Sequence, residues 1–588
     1  MVVLVYAAVA LSAACAGEPR SETPAAPSGD AGSETAQVRD AGQPGDAERS
    51  DAASVEPLLP ARIRRLSNAE YNGSVAALLS TELAPARGFA PDARQAGFTV
   101  NEAQRVDSVL AKQLFAAAEQ LAADARARFG KLAPCATPND PEGCARSFIA
   151  RFGARSYRRP LDQEEADGLL ALFRAGALDA SYEDGIELVI RALLQSGGFL
   201  YLTELGQSAP SEGSAIALTE YELASSLSYL MTGGPPDEPL LAAAALGTLS
   251  SPEVRRAELQ RLRDEHPESR AQLVHTLREW LELDRIEVTA KDSAFYPTYE
   301  DYGPLFIAES RAFIGAVLDD SRPQSAASVA RAADLRSRAQ GRASTGALAA
   351  SDLSSLLYAD WTVGSAKLAQ FYEAEDRGDG RLKLPTRRGI LNQGAFLAVH
   401  AHAYESAPIL RGAVIERRLA CVSIPDPSTL GISVSAPPSD LHLTTRQRFD
   451  AHVADPSCAG CHKAIDSIGN TFELYDGMGG YRQMENDANV DAKTVIEMGK
   501  DFDGSYADSN ALAEALANSP DVEECFARYL FRAAAARSAD SRGGEANNES
   551  EDAFIAAWNA LPTAERGNVV DTLSAFVSSR LFTHRRAQ

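Results

Sequence analysis

Positive charge is in short supply in this chain. Lys and Arg number 57 against 81 Asp and Glu, a formal net charge of −24 over 588 residues. That balance excludes a nucleic-acid binder, because nothing would neutralise the phosphates, and it excludes electrostatic adhesion to anionic lipid. Cysteine is scarce at seven and methionine scarcer at five, so position matters more than number for both. No Gly-rich phosphate loop, serine nucleophile elbow or pair of metal-binding histidines on a helix occurs, which removes the usual signatures of phosphate transfer, ester hydrolysis and zinc peptidase chemistry. Alternating apolar and polar runs are few, so few strands are expected. The chain is too long for one hydrophobic core, and several packed lobes should form.

The N-terminus reads as an export signal. Val2 to Ala14 is apolar but too short to span a bilayer, and it ends in Leu11-Ser12-Ala13-Ala14-Cys15. This resembles a bacterial lipoprotein signal in which Cys15 is lipidated and becomes the first mature residue. It departs from that pattern in having no Lys or Arg ahead of the apolar run and in placing Leu11 one position too far from the cysteine. A plain secretory signal and a buried N-terminal helix are the competing readings. Ala16 to Glu56 is Ala, Ser, Pro, Gly, Asp and Glu with almost nothing bulky. It cannot bury enough surface to offset chain entropy, and a coil of that length spans about 35 Å, which suits a tether. Ser538 to Asp552 reads as a second solvated loop.

Between these segments the periodicity is helical. Ser67 with Glu70, Asp162 with Glu165 and Thr219 with Glu222 have the spacing of capping boxes. The helix opened at Thr219 runs through Leu223, Leu227 and Leu230 and stops at Gly233-Gly234-Pro235-Pro236. Val254 to Leu283, Leu305 to Leu318 and Ser509 to Ala536 keep spacings of three and four. The fold class is mainly α: a multi-lobed helical body with a small separate domain near the C-terminus. Leu193-Leu194-Gln195-Ser196-Gly197-Gly198-Phe199 is echoed by Phe576-Val577-Ser578-Ser579-Arg580-Leu581-Phe582. Helix ends commonly look like this, so the echo is a weak sign of duplication.

The chemistry sits at Cys458-Ala459-Gly460-Cys461-His462. Attaching a c-type haem needs two thiols three apart on one helical turn, which add across the vinyl groups, and a histidine next in sequence whose imidazole meets the iron. Chance gives this pattern in roughly one such chain in a thousand. Thr445 to Asp450 reads as a short helix leading in, which Asp455-Pro456 breaks just before Cys458. Phe472, Tyr475 and Tyr481 follow, as a flat apolar macrocycle requires. Two readings compete: zinc held by the cysteine pair with His400 and His402, and a redox disulfide, which lacks a leading strand here. Haem c is the expected cofactor, with Cys458 and Cys461 covalently bound and His462 the proximal ligand.

The remaining cysteines suit an oxidising compartment. Cys135 and Cys144 flank a turn-rich loop that a disulfide would close. Cys421 and Cys525 pair by elimination, the alternative being two separate buried thiols. For the sixth iron ligand, Met478 is flanked by glycines in Asp476-Gly477-Met478-Gly479-Gly480, where the backbone can approach a haem face closely. Met478 is expected there ahead of His402, with simple core filling by Met478 as the competing reading.

The motifs together resemble the planctomycete- and myxobacterial-type cytochrome c proteins built from domains of unknown function. Arg64 to Asn72 resembles the first domain and Phe152 to Leu161 the second. Tyr221 to Leu230 with Pro236-Asp237-Glu238 resembles the third. Arg387 to Leu391 and Pro408 to Gly412 lead into the haem domain, centred on Asp455 to His462 and followed by Phe472 to Asp476. Asp503-Gly504 and Phe582 to Arg586 resemble the last. Two departures stand out: Ser467 replaces a proline after His-x-x-x-Asp, and Ala407 replaces a serine before Pro-x-x-Arg-Gly. The backbone carbonyl at Ser467 remains a candidate acceptor for the histidine's second nitrogen. The implied layout is a signal over 1–15, a tether over 16–56, helical domains over 57–130, 131–210 and 211–375, the haem c domain over 376–500, and a C-terminal helical domain over 501–588.

The expected protein is therefore exported and anchored by lipid to the membrane, on the periplasmic side or at the cell surface. It transfers or accepts electrons, with an unidentified redox partner protein, no nucleic acid and no membrane contact beyond the lipid. The alternatives are a haem oxidoreductase acting on an extracellular substrate such as a carbohydrate, and a surface binding scaffold with a structural haem.

Overall fold

A computed structural model describes residues 57–135, 139–206, 214–320, 351–424, 442–453, 456–537, 545–563 and 565–587, with the backbone alone described at 451–453, 456–461 and 545–548. Cys15 and the tether lie outside the described residues. The described chain is mainly helical, as the periodicity predicts.

All three anticipated capping boxes form. Ser67 and Glu70 cap Asn68–Leu79, Asp162 and Glu165 cap Gln163–Ala177, and Thr219 and Glu222 cap Glu220–Thr232, each exchanging side-chain and backbone bonds. Glu70 also takes a two-pronged bond from buried Arg64, both contacts at 2.8 Å. The Glu220–Thr232 helix ends at Gly233, whose φ of 64° is the left-handed geometry that glycine accepts without strain.

The helical spacing over Val254 to Leu283 is taken up by two helices, Pro252–Glu265 and Pro267–Trp280, because Pro267 forces His266 into an extended conformation. That over Ser509 to Ala536 is also taken up by two, Ser509–Ala517 and Pro520–Ala534, split before Pro520. One reading needs correction: the solvated loop expected over Ser538 to Asp552 is helical from residue 545 onward, within Glu545–Asn559. There Glu551 is buried and bonds Arg528 and Arg532, so part of the acidic run pairs with cations on a neighbouring helix.

The strands are short. Arg62–Arg65 pairs antiparallel with Tyr201–Glu204, Arg62 opposite Glu204. Ala215–Ala217 pairs antiparallel with His584–Arg586. Pro60 bridges to Arg586, so the first described segment meets the last. At this junction Glu204 accepts from Arg62 at 2.8 Å and from Arg585 at 2.7 Å. The two guanidinium groups hold its carboxyl well below the usual range, against the opposing push of burial.

The echoed segments adopt one local fold. Tyr182–Gln195 is followed by a turn at Ser196, a four-residue helix Gly197–Leu200 and the strand Tyr201–Glu204. Val569–Ser578 is followed by a turn at Ser579, a four-residue helix Arg580–Thr583 and the strand His584–Arg586. Both serines donate at 2.7 Å to the carbonyl three residues back.

Two main cores form. One lies between Tyr71 and Leu200 in sequence. The other gathers Leu58, the helices from Leu218 onward and the C-terminal helices to Phe582. Two disulfides close, Cys135–Cys144 and Cys421–Cys525. The second joins the end of the Pro408–Arg418 segment to Pro520–Ala534 across 104 positions. Among the described residues no helix is long and apolar enough to cross a membrane.

Candidate haem site

The helix Pro456–Asn470 carries positions 458, 461 and 462 in its first two turns. Proline suits a helix start because its missing N–H needs no partner there. The helical backbone brings positions 458 and 461 one turn apart, with 462 beside them. The side chains of Cys458 and Cys461 lie outside the described residues.

Two glycines let this helix lie against its neighbour, Pro408–Arg418. A Cβ on Gly412 would fall 1.9 Å from the Ile465 carbonyl oxygen, and one on Gly469 would fall 1.9 Å from the Pro408 carbonyl oxygen. No larger residue fits either position without parting the helices. Thr445–Val453 packs on the other side, and Phe449, Ile465, Ile468 and Phe472 are buried around the helix.

Two buried arginines pin the chain after the helix. Arg411 donates to the carbonyls of Leu397, Phe472, Tyr475 and Asp476 at 2.7–3.2 Å. Burial pushes its guanidinium down to about 10, with Glu473 opposing. Arg387 donates to Gly479 at 2.6 Å and lies between the rings of Tyr372 and Tyr475, 4.2 and 4.6 Å from their centres. Asp476 Oδ1 accepts from the backbone of Met478 and Gly480, closing the glycine-rich turn. The motifs Arg387 to Leu391 and Pro408 to Gly412 thus supply the clamp and the helix contact of the site.

His462 is partly buried, and its Nδ1 bonds Asp466 Oδ1 at 3.2 Å, four residues on along the same helix. That bond pushes the imidazole above its ordinary value, against burial. The partner of Nδ1 is therefore the Asp466 carboxylate. Ser467, whose carbonyl was the sequence candidate, turns its hydroxyl to Lys463 O at 2.6 Å. Asp466 Oδ2 is buried and bonds nothing among the described residues.

Met478 is buried in the larger core, and its sulfur stands 4.0 Å from the Thr298 hydroxyl. His402 is half-buried, its ring stacked on Tyr404 at 6.1 Å. Burial lowers the basicity of this imidazole. The ring of His400 is fully enclosed, with Nε2 at 3.1 Å from Leu281 O, and burial pushes it down to about 4. Its Nε2 is thus engaged by a carbonyl, which does not favour a zinc site. Among the described residues no group of three or more His, Cys, Asp and Glu is arranged to hold a metal ion.

The bond between His462 and Asp466 fits a c-type haem. An imidazole whose Nδ1 is bonded to a carboxylate presents Nε2 as the ligating nitrogen, the usual arrangement for a metal-bound histidine. The haem, held by Cys458, Cys461 and His462, would supply one-electron redox chemistry.

The chain carries four domains of unknown function in series. Residues 64–127 match DUF1587, residues 144–204 match DUF1595, residues 218–333 match DUF1592 and residues 387–485 match DUF1588. The last spans the helix of the Cys-x-x-Cys-His motif and both buried arginines. No curated protein matches the chain, and no solved structure does.

Sequence reading missed Asp466 as the partner of His462, although His-x-x-x-Asp on a helix places the two side chains on one face. It also missed the packing role of Gly412 and Gly469, for which the motif glycines were the available signal.

Proposed function

We propose that this is an exported c-type haem protein that carries electrons at the cell envelope. The observation that supports it best is Cys-x-x-Cys-His at the start of a helix whose histidine is oriented by a buried carboxylate. Cys458 and Cys461 bind the haem covalently and His462 is the proximal ligand. The two disulfides accord with export, because such bonds persist in oxidising compartments. Lipidation at Cys15 anchors the protein, with 16–56 as its tether. Planctomycete-type cytochromes built from this domain series offer the same picture by resemblance.

Met478 is the proposed sixth ligand, with His402 behind it. The test is the ferric spectrum together with redox cycling. Electron transfer through a Met-ligated haem requires the sulfur-to-iron band in the red, its loss in Met478→Ala, and rapid reversible reduction by a small cytochrome donor. A wild type that does not cycle refutes the carrier reading, and one that cycles without that band refutes Met478 as the ligand.

A second reading, a haem oxidoreductase acting on an extracellular substrate, is favoured by one contact. The Met478 sulfur faces the Thr298 hydroxyl in the core, and a methionine held there leaves the sixth position to water or substrate. Binding of cyanide or carbon monoxide by the wild type at low ligand concentration distinguishes this reading.

A further inference from the structure

Asp466 stands four residues after His462 on the helix Pro456–Asn470, its Oδ1 at 3.2 Å from Nδ1. The side chain of Asp466 is 8% exposed. Its second oxygen is buried and bonds nothing among the described residues. Among those residues no arginine or lysine forms an ion pair with it, and Asp450, which it influences electrostatically, carries the same sign. Among the described residues the charge of this carboxylate therefore meets one group, the imidazole.

A neutral carbonyl at Nδ1 fixes the orientation of a proximal histidine and does little more. A carboxylate does more: it draws the Nδ1 proton, and electron density moves to Nε2, which raises the basicity of the ligand. A more basic proximal ligand stabilises ferric over ferrous iron. Low exposure strengthens the effect, because little solvent screens a charge so close to the ring.

We propose that Asp466 is a positioning residue that poises the haem toward the ferric state by holding a negative charge on His462 Nδ1. This rests on the proposed haem function. The haem of this chain is then harder to reduce than the same haem would be with a backbone carbonyl at the histidine.

The test uses the full chain matured in a periplasm, comparing wild type, D466N, D466S and D466E by spectroelectrochemical titration. D466N keeps a polar group of the same shape and loses the charge. It should favour the ferrous form at least tenfold at fixed poise, which raises the midpoint by about 59 mV for one electron. D466S should shift the same way and serves if D466N matures poorly. D466E keeps the charge and should remain within threefold of wild type, which a merely structural role for Asp466 does not predict. If D466N and D466S carry full covalent haem and shift less than twofold, the inference is overturned while the haem reading stands. If the wild type carries no covalent haem, both fall.

Discussion

Gly412→Ala tests the scaffold of the site through a single methyl group. The added Cβ would lie 1.9 Å from the Ile465 carbonyl oxygen and 3.1 Å from the Gly469 amide nitrogen. Both are backbone atoms and cannot rotate aside. The two helices must part by about 1.5 Å before that contact relaxes to the ordinary 3.4 Å. Overpacking of this kind costs about 1–3 kcal/mol. His462 stands three residues before Ile465 on the same helix, so the displacement reaches the proposed haem ligand directly. The assay is urea unfolding followed by circular dichroism, with haem content measured on the same sample. The variant should show a lower midpoint and incomplete haem loading. Gly168→Ala is the control with the opposite sign. Gly168 lies within Gln163–Ala177 with nothing within 4 Å of an added Cβ, so alanine there should stabilise by about 0.5–1 kcal/mol. If Gly412→Ala unfolds within about 0.5 kcal/mol of wild type and loads fully, the close helix crossing is refuted.

Two further outcomes follow from the structure and one from the sequence. Cys525→Ala opens the bridge to Cys421, which spans 104 positions, and should cost about 4–5 kcal/mol by chain entropy, read as a lowered unfolding midpoint that reductant reproduces in wild type. Burial pushes Glu309 up to about 7, against hydrogen bonds from Tyr372 and Thr362 and the charge of Arg387. A folded-state value above the unfolded one lends stability that is full below about pH 4.5 and lost as pH rises through 7; Glu309→Gln should abolish that decline, worth about 3 kcal/mol, in unfolding midpoints from pH 5 to 8. Cys15→Ser should move the protein from the membrane fraction to the soluble one, since lipid chains on one cysteine are the proposed anchor; an unchanged distribution counts against lipidation.

Local rules carried most of what the sequence disclosed. Capping boxes at Ser67, Asp162 and Thr219 are decided within four residues, and all three form. Helix breaks at Pro267 and Pro520 are equally local, although the apolar spacing continues across them. Strands such as Arg62–Arg65 and His584–Arg586 were out of reach. They are three or four residues long, and their partners lie 142 or 367 positions away, as Arg62 with Glu204 and His584 with Ala217. At the site, the proposal for His462 rests on its spacing to the two cysteines, which the sequence states outright. Asp466 needed only the i, i+4 rule. The clamps made by Arg387 and Arg411 depend on carbonyls as far as 92 positions away, and no pattern announces them. Glu309 owes its raised affinity for protons to complete burial, which composition cannot show.

The account stands on covalent haem at Cys458 and Cys461, and one measurement tests it directly. The full chain, matured in a periplasm with its haem-attachment machinery, is denatured, separated by gel and stained for haem peroxidase activity. The same preparation is assayed for haem and zinc stoichiometry. The predicted result is one haem per chain that survives denaturation in wild type and is absent from the Cys458→Ala, Cys461→Ala double variant. A wild type that carries zinc and no haem, or haem that leaves on denaturation, contradicts it.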